Sequence, residues 1–266
     1  MCTVRSQVLS LNTDDYTPTH LWLLDSAHHG VSSNSHTLYA SLHDVSLTPG
    51  PWQPSQNGSL EFQGTPSSYV DIPNSGGLNA TSVFAWVMVL KPTSVTGEHV
   101  ILEYWDGTGG VRLKQLGDEL VVEAHDMGNT LHTLTTNQNV LTANTWKFVT
   151  LTFMGFNKKK LQLIYDAYDV SGKPNNKVSM NLQAVLRGTG DVRLGASRDT
   201  SLSAFSGHVA CLRYYNAYIG KYQTGYALSC DPASGIFPTA TLDSLSGKYR
   251  GFHSNCSGTQ SRQMIL

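Results

Sequence analysis

The stretch Glu119-Leu120-Val121-Val122-Glu123-Ala124-His125-Asp126 offers the best-spaced acids in the chain. Side chains alternate along a strand, so Glu119 and Glu123 share one face. Paired carboxylates on one face are the equipment of glycoside hydrolysis, as acid and base or as acid and nucleophile. Their spacing is wrong for a catalytic pair, so the two glutamates read as solvated strand positions. His28-His29-Gly30, with His36 and His43 nearby, raises metal binding. No Cys or carboxylate recurs at ligand spacing, so these read as exposed loop histidines. No G-x-S-x-G elbow is present for a serine nucleophile. Asp106-Gly107-Thr108-Gly109-Gly110 and Arg187-Gly188-Thr189-Gly190 have the glycine content of phosphate loops. They lie between strands, without the following helix that phosphate binding uses, and read as turns. Asn157-Lys158-Lys159-Lys160 is a small basic hairpin tip and reads as a solvated turn, with weak binding to an anionic glycan as the other reading.

Binding is what these exclusions leave. A pyranose has an apolar C–H face and a rim of hydroxyls, so aromatic rings beside planar polar groups hold it. Tyr104-Trp105-Asp106 places two aromatics and a carboxylate at the end of a strand. Trp52 lies in the Pro-rich loop PGPWQP. These four residues are the candidate ligand contacts.

The elements that must position them are strands. Leu21 to Leu24, Ser59 to Gln63, Ser68 to Ile72, Ser82 to Leu90, Glu98 to Trp105, Val111 to Leu116 and Glu119 to His125 are apolar or alternating. Thr130 to Thr136, Trp146 to Phe153, Lys160 to Val170, Lys177 to Val185 and Asp191 to Gly195 continue the series. Gly and Asn clusters punctuate them. Helical periodicity is confined to Tyr218 to Leu228, where Gly220 and Gly225 limit it to a turn or two. Charged residues make up only 14 %, and the net charge is −1. No basic surplus exists to release counterions from nucleic acid, which is therefore not an expected partner. No apolar run approaches the ~20 residues that span a bilayer, so no membrane insertion is expected within this segment. MCTVRSQVLSLNTDDY lacks the apolar core and cleavage site of a secretory leader, which suggests a cytosolic chain or part of a longer one. None of Cys2, Cys211, Cys230 and Cys256 forms a CxxC pair. The sequons at Asn57, Asn79 and Asn255 make Asn57 and Asn79 candidate glycosylation sites if the chain is secreted.

In FSGHVACLRYYNAYIG, residues 205 to 220, the apolar positions Val209, Leu212 and Tyr214 change parity. A bulge near Ala210-Cys211 is the expected reason.

In order along the chain, several segments carry a resemblance. They are His20-Leu21-Trp22-Leu23-Leu24-Asp25-Ser26, Phe62-Gln63-Gly64, Tyr69-Val70-Asp71-Ile72-Pro73, Phe84-Ala85-Trp86-Val87, Asn144-Thr145-Trp146-Lys147-Phe148-Val149 and Leu194-Gly195. Phe205-Ser206-Gly207-His208-Val209 to Arg213-Tyr214-Tyr215-Asn216 completes the set. Together they resemble the laminin-G-like jelly rolls of the concanavalin A-like lectin/glucanase superfamily, of the extracellular type with a short helix after the last strand. The resemblance implies an all-β fold: a two-sheet antiparallel jelly-roll sandwich, concanavalin A-like, with a short helical segment after the last strand. The domain is expected over residues 18–231, between an N-terminal extension (1–17) and a C-terminal tail or linker (232–266).

The resemblance also implies that Cys211 pairs with Cys230 in a disulfide, with a buried free thiol as the other reading. Some relatives hold Ca2+ with carboxylates where this chain has Gln63 and Ala210-Cys211. Asp25 and backbone carbonyls remain as candidate ligands for a Ca2+ cofactor. Superfamily glucanases carry E-x-D-x-x-E on one strand, and no such triplet occurs here. The resulting expectation is an extracellular, non-catalytic module that binds a glycan or an extracellular protein. A structural adhesion domain and a divergent glycoside hydrolase are the alternatives.

Overall fold

A computed structural model describes residues 18–22, 24, 31, 32, 35–51, 58–75, 77–136, 139–156, 159–168 and 174–220. In chain order the strands are β1 (His20–Trp22), β2 (Val31–Ser32), β3 (Ser35–Tyr39), β4 (Ser41–His43), β5 (Val45–Pro49), β6 (Gly58–Gln63), β7 (Tyr69–Ile72), β8 (Val83–Pro92) and β9 (Glu98–Trp105). They continue with β10 (Gly110–Leu116), β11 (Glu119–His125), β12 (Leu131–Thr135), β13 (Lys147–Met154), β14 (Lys160–Tyr168), β15 (Pro174–Asn181), β16 (Val192–Leu194) and β17 (Ser206–Tyr215).

Two antiparallel sheets pack as a jelly-roll sandwich. The first runs β15-β14-β13-β8-β17-β6-β5, with β1 also paired to β17. The second runs β12-β11-β10-β9-β16-β7-β4, and β2 and β3 form a small separate ribbon. No helix occurs among the described residues. Residues 218–220 are irregular, and the rest of the expected helical segment lies outside the described residues, as do 1–17 and 232–266.

Strand β8 shows why the layers form. Phe84, Trp86, Met88 and Leu90 point into the core between the sheets. Ala85 and Val87 fill a second cluster on the outer face with Phe148, Tyr215 and Ile219. Both faces are covered, so the strand reads as one apolar run. At the centre, Trp86 stacks on Trp22 at 5.8 Å and lies 5.1 Å from Tyr214. Its indole Nε1 donates to the Tyr104 hydroxyl at 2.7 Å, which donates to the Leu78 carbonyl at 2.6 Å. Trp86 and Tyr104 therefore enter the core with their polar ends satisfied.

The parity change in β17 is a bulge. Val209 pairs with Leu90 and Ala210 with Val89, then Arg213 pairs with Val87. Two residues, Cys211 and Leu212, thus oppose Met88 alone. Cys211 takes the left-handed conformation, φ 54°, that the insertion demands. Val209, Leu212 and Tyr214 all reach the central core as a result.

Two expectations about the elements change. The region around His36 and His43, read as loop, contains β3, β4 and β5. Strands β4 and β5 are the outermost of the two sheets, exposed on much of their length, so they carry little apolar patterning. Strand β15 starts at Pro174 rather than Lys177, since an edge strand tolerates proline.

Candidate functional site

The outer face of the second sheet carries a row of alternating charge. Glu123 on β11 stands opposite Arg112 on β10, and Arg112 opposite Glu103 on β9. Glu103 faces Arg193 on β16, and Arg193 faces Asp71 on β7. Neighbouring strands lie ~4.8 Å apart, so each charge meets its opposite directly. Arg112 Nε donates to Glu103 Oε2 at 3.1 Å, and Arg112 Nη1 lies 3.7 Å from Glu123 Oε2. Arg193 grips Asp71 with two bonds, Nε at 2.8 Å and Nη2 at 2.7 Å. Lys114 pairs with Glu98 and Glu123.

The loop after β16 closes over this row. Ser197 Oγ donates to Glu103 Oε2 at 2.8 Å, and the Arg198 backbone N–H donates to Oε1 at 2.6 Å. Arg198 Nη2 reaches Asp71 Oδ1 at 3.0 Å. Glu103 is fully buried and Arg112 nearly so. Burial of charge at this depth requires such complete pairing. Glu123, expected to be a solvated strand position, is instead held by Lys114 and Arg112. Glu103 and Glu123 flank Arg112, which holds both, so the row offers no free carboxylic acid for proton transfer.

At the upper end of the sheets, where β9 and β11 finish and β10 and β12 begin, the candidate contacts separate. Tyr104 is a correction. It points into the core at 1 % exposure, and burial pushes its phenol well above the ordinary range. Trp105 points the other way and is half-buried. The Arg112 guanidinium lies 3.8 Å from the centre of its ring, and His125 packs edge-on at 5.2 Å. Gly110, opposite Trp105, has no room for a side chain: a Cβ would sit 1.7 Å from the Tyr104 carbonyl oxygen.

Asp106 organises the turn that follows. Its Oδ1 accepts from the Thr108 N–H at 2.9 Å, the Thr108 hydroxyl at 2.8 Å and the Gly109 N–H at 3.0 Å. Arg187 Nη2 donates to its Oδ2 at 2.8 Å, while Nη1 donates to Asn129 Oδ1 at 3.0 Å. The Thr108 backbone bond first, with the Thr108 hydroxyl, Arg187 and Gly109, holds the Asp106 carboxyl down to about 2. Nearby, His132 Nε2 meets Asp126 Oδ2 at 2.9 Å, and this bond holds the Asp126 carboxyl below its ordinary range. The two glycine stretches read as turns thus meet: Arg187 in one clamps Asp106 and Thr108 in the other.

Trp52, Asp25, Asn57 and Cys230 lie outside the described residues. Asn79 is half-buried, and its Oδ1 accepts from Asn74 Nδ2 at 2.9 Å. The Cys211 sulfur is disulfide-bonded, and every other cysteine lies outside the described residues. His43 stacks on Tyr69 at 4.3 Å. Among the described residues, no group of three His, Cys, Asp or Glu is placed to hold a metal ion.

The charge row was missed by sequence reasoning. Its signal was present: Glu103, Arg112, Arg193 and Asp71 each sit in a largely apolar strand. Pairing them required the strand order.

No protein-family model matches this chain, and no curated protein matches it. Solved structures do resemble it. The binding domain of botulinum neurotoxin serotype D is similar with a TM-score of 0.59 at 10 % identity, over 80 % of this chain and 50 % of that one. The serotype D ligand-binding domain in complex with N-acetylneuraminic acid gives 0.59 at 11 %, with the same coverage. The binding domain of Paraclostridial Mosquitocidal Protein 1 gives 0.57 at 12 %, over 72 % of this chain and 47 % of that one. The chain spans about half the length of these domains. At such identity the likeness concerns fold: a β-sandwich jelly roll.

Proposed function

We propose that this chain is a non-catalytic recognition module that binds a glycan at the upper rim of its second sheet. The observation that carries the reading is the half-buried Trp105 ring, held in place by Arg112 and His125. A ring fixed in advance costs little entropy when a sugar's C–H face packs on it. Asp106, Arg187 and Asn129 set planar polar groups in the adjoining turns, where sugar hydroxyls would meet them. One structural neighbour is a ligand-binding domain in complex with N-acetylneuraminic acid, which supports a glycan as the ligand class. The pairing of Glu103 and Glu123 with Arg112 argues against a glycoside hydrolase. We read the module as extracellular and laminin-G-like, with Cys211 bridged to Cys230 and glycans acceptable at Asn57 or Asn79. A matrix or cell-surface parent protein fits this reading.

The test is a glycan array probed with the folded chain, with calcium and with chelator. Selective binding that Trp105→Ala weakens by about tenfold or more is expected, since a stacked aromatic carries on the order of 1–3 kcal/mol. Loss in chelator would assign a Ca2+ site. A blank array from folded protein in both conditions would replace this reading with a structural adhesion domain.

A further inference from the structure

The upper end of the sandwich carries a feature that glycan recognition does not use. Five large hydrophobic side chains are exposed among the described residues: Leu47, Leu116, Met127, Leu131 and Phe156. The three most exposed are Phe156 at 72 %, Met127 at 63 % and Leu131 at 51 %. All three belong to the upper end. Phe156 follows β13 in the β13–β14 hairpin, Met127 belongs to the β11–β12 connection, and Leu131 opens β12.

Hydrogen bonds tie these two hairpins together. The Leu182 N–H donates to the Lys159 carbonyl at 2.7 Å, and the Met127 N–H donates to the Val185 carbonyl at 2.8 Å. The short run from Leu182 to Val185 thus links both tips. Gly155 packs so closely on the Ser82 carbonyl that a Cβ there would lie 2.0 Å from its oxygen. The base of the hairpin is therefore fixed, and Phe156 projects beyond it.

The cations of the Phe156 hairpin stand apart from the acids of this end. Asp106 pairs with Arg187 at 2.8 Å, Asp126 meets His132 at 2.9 Å, and Asp191 accepts the Asn74 N–H at 2.7 Å. No carboxylate among the described residues pairs with Lys159 or Lys160. Projecting apolar side chains beside unpaired ammonium groups are the complement of one surface in particular, a bilayer with anionic headgroups.

We propose that the upper end of the sandwich is a peripheral docking surface for an anionic lipid bilayer, led by Phe156 and flanked by Lys159 and Lys160. Phe156 enters the interface between headgroups and acyl chains, with Met127 and Leu131 lying against it. The ammonium groups meet the phosphates. No helix among the described residues is long and apolar enough to cross the membrane. The contact is independent of the glycan reading and needs no sugar.

The test is co-sedimentation of the full chain with vesicles free of glycolipid. One set is phosphatidylcholine alone, and the other is phosphatidylcholine with phosphatidylserine. Binding to the anionic vesicles is expected, falling as salt is raised. Phe156→Ser weakens it by about tenfold or more, given the apolar area withdrawn. Neutralising Lys159 and Lys160 to Gln weakens it by about fivefold each. Leu116→Ser, at the opposite end of the sandwich, leaves it as in the wild type. All these side chains are surface positions, so matched thermal melts check that folding is unchanged. Absence of binding, equal binding to both vesicle sets, or binding that Phe156→Ser leaves unaltered would each overturn the proposal. The last outcome would mean charge attraction alone.

Discussion

The charge row makes a prediction whose size differs between its two central members. Glu103 is fully buried and has three kinds of partner: Arg112 at 3.1 Å, the Ser197 hydroxyl and the Arg198 backbone N–H. Arg112 is nearly as deep; among the described residues its other ion pair is with Glu123 at 3.7 Å, and its Nη2 donates to Ser197 Oγ at 3.3 Å. Replacing Glu103 by Leu keeps the volume and removes the carboxylate. It leaves a buried guanidinium with a long residual contact, and it orphans the Ser197 hydroxyl and the Arg198 N–H. Breaking one side of a buried pair costs about 3–5 kcal/mol. For a chain of this size that is a fall in Tm of about 6–20 °C.

Arg112→Met should cost less, about 1–3 kcal/mol, because Glu103 keeps both hydrogen-bond donors. It also keeps Arg198 Nη1 at 3.9 Å. The double variant should be more stable than Glu103→Leu alone, since it removes the orphaned cation. Urea unfolding of the four proteins closes the cycle, with the m value checking that two-state behaviour is preserved. The reasoning fails if Glu103→Leu unfolds within about 1 kcal/mol of wild type, or if the double variant costs the sum of the singles.

Two further outcomes follow from named contacts. Gly195 sits at φ 91°, and a Cβ there would lie 2.1 Å from the Phe62 ring, so Gly195→Ala should cost about 3 kcal/mol or more, read by thermal melt. Asp106 carries a carboxyl pulled down to about 2, below its unfolded value near 3.8. Its contribution is therefore complete above the unfolded value and lost as pH falls toward 2. At 39 % side-chain exposure, solvent screening limits it to less than about 1 kcal/mol. Asp106→Asn should accordingly flatten the acid limb of the stability curve between about pH 4 and 2 while changing neutral stability little.

Much of the sandwich was legible because its central strands bury one or both faces. SVFAWVMVL could only be a covered strand, and the parity change at Val209 and Leu212 located the bulge before any partner strand was known. The outermost strands β4 and β5 were not legible. Each is short and offers only one or two apolar residues, Leu42 in β4 and Val45 and Leu47 in β5, too few to set a period. Tyr104 and Trp105 show a different limit. Adjacent strand residues face opposite sides, so both could never have joined one binding surface. The period alone required one of them in the core, and the hydrogen bond from Trp86 decides which. The charge row was out of reach for a stronger reason. Its five members come from segments as far apart as Asp71 and Arg193, and only the order β11-β10-β9-β16-β7 makes them neighbours.

That order also joins the buried row to the rim. Arg112 holds Glu103 through Nε while its guanidinium lies over the Trp105 ring. The ring that would stack on a sugar is thus positioned by a side chain whose own place is set by a fully buried carboxylate. An indole on a free loop would have to be ordered at the moment of binding, at about 0.5–1.5 kcal/mol for the side chain. Here the ordering accompanies folding, together with the ion pairs. Such a row adds little net stability compared with an apolar core, because desolvation cancels most of its Coulomb energy. Its advantage lies in geometry: a planar guanidinium between two fixed acids has few other places to be, and neither does the ring beneath it. The Arg112→Met protein made for the stability cycle therefore separates the two roles, since it keeps Trp105 and His125 and removes only the guanidinium that lies over the ring.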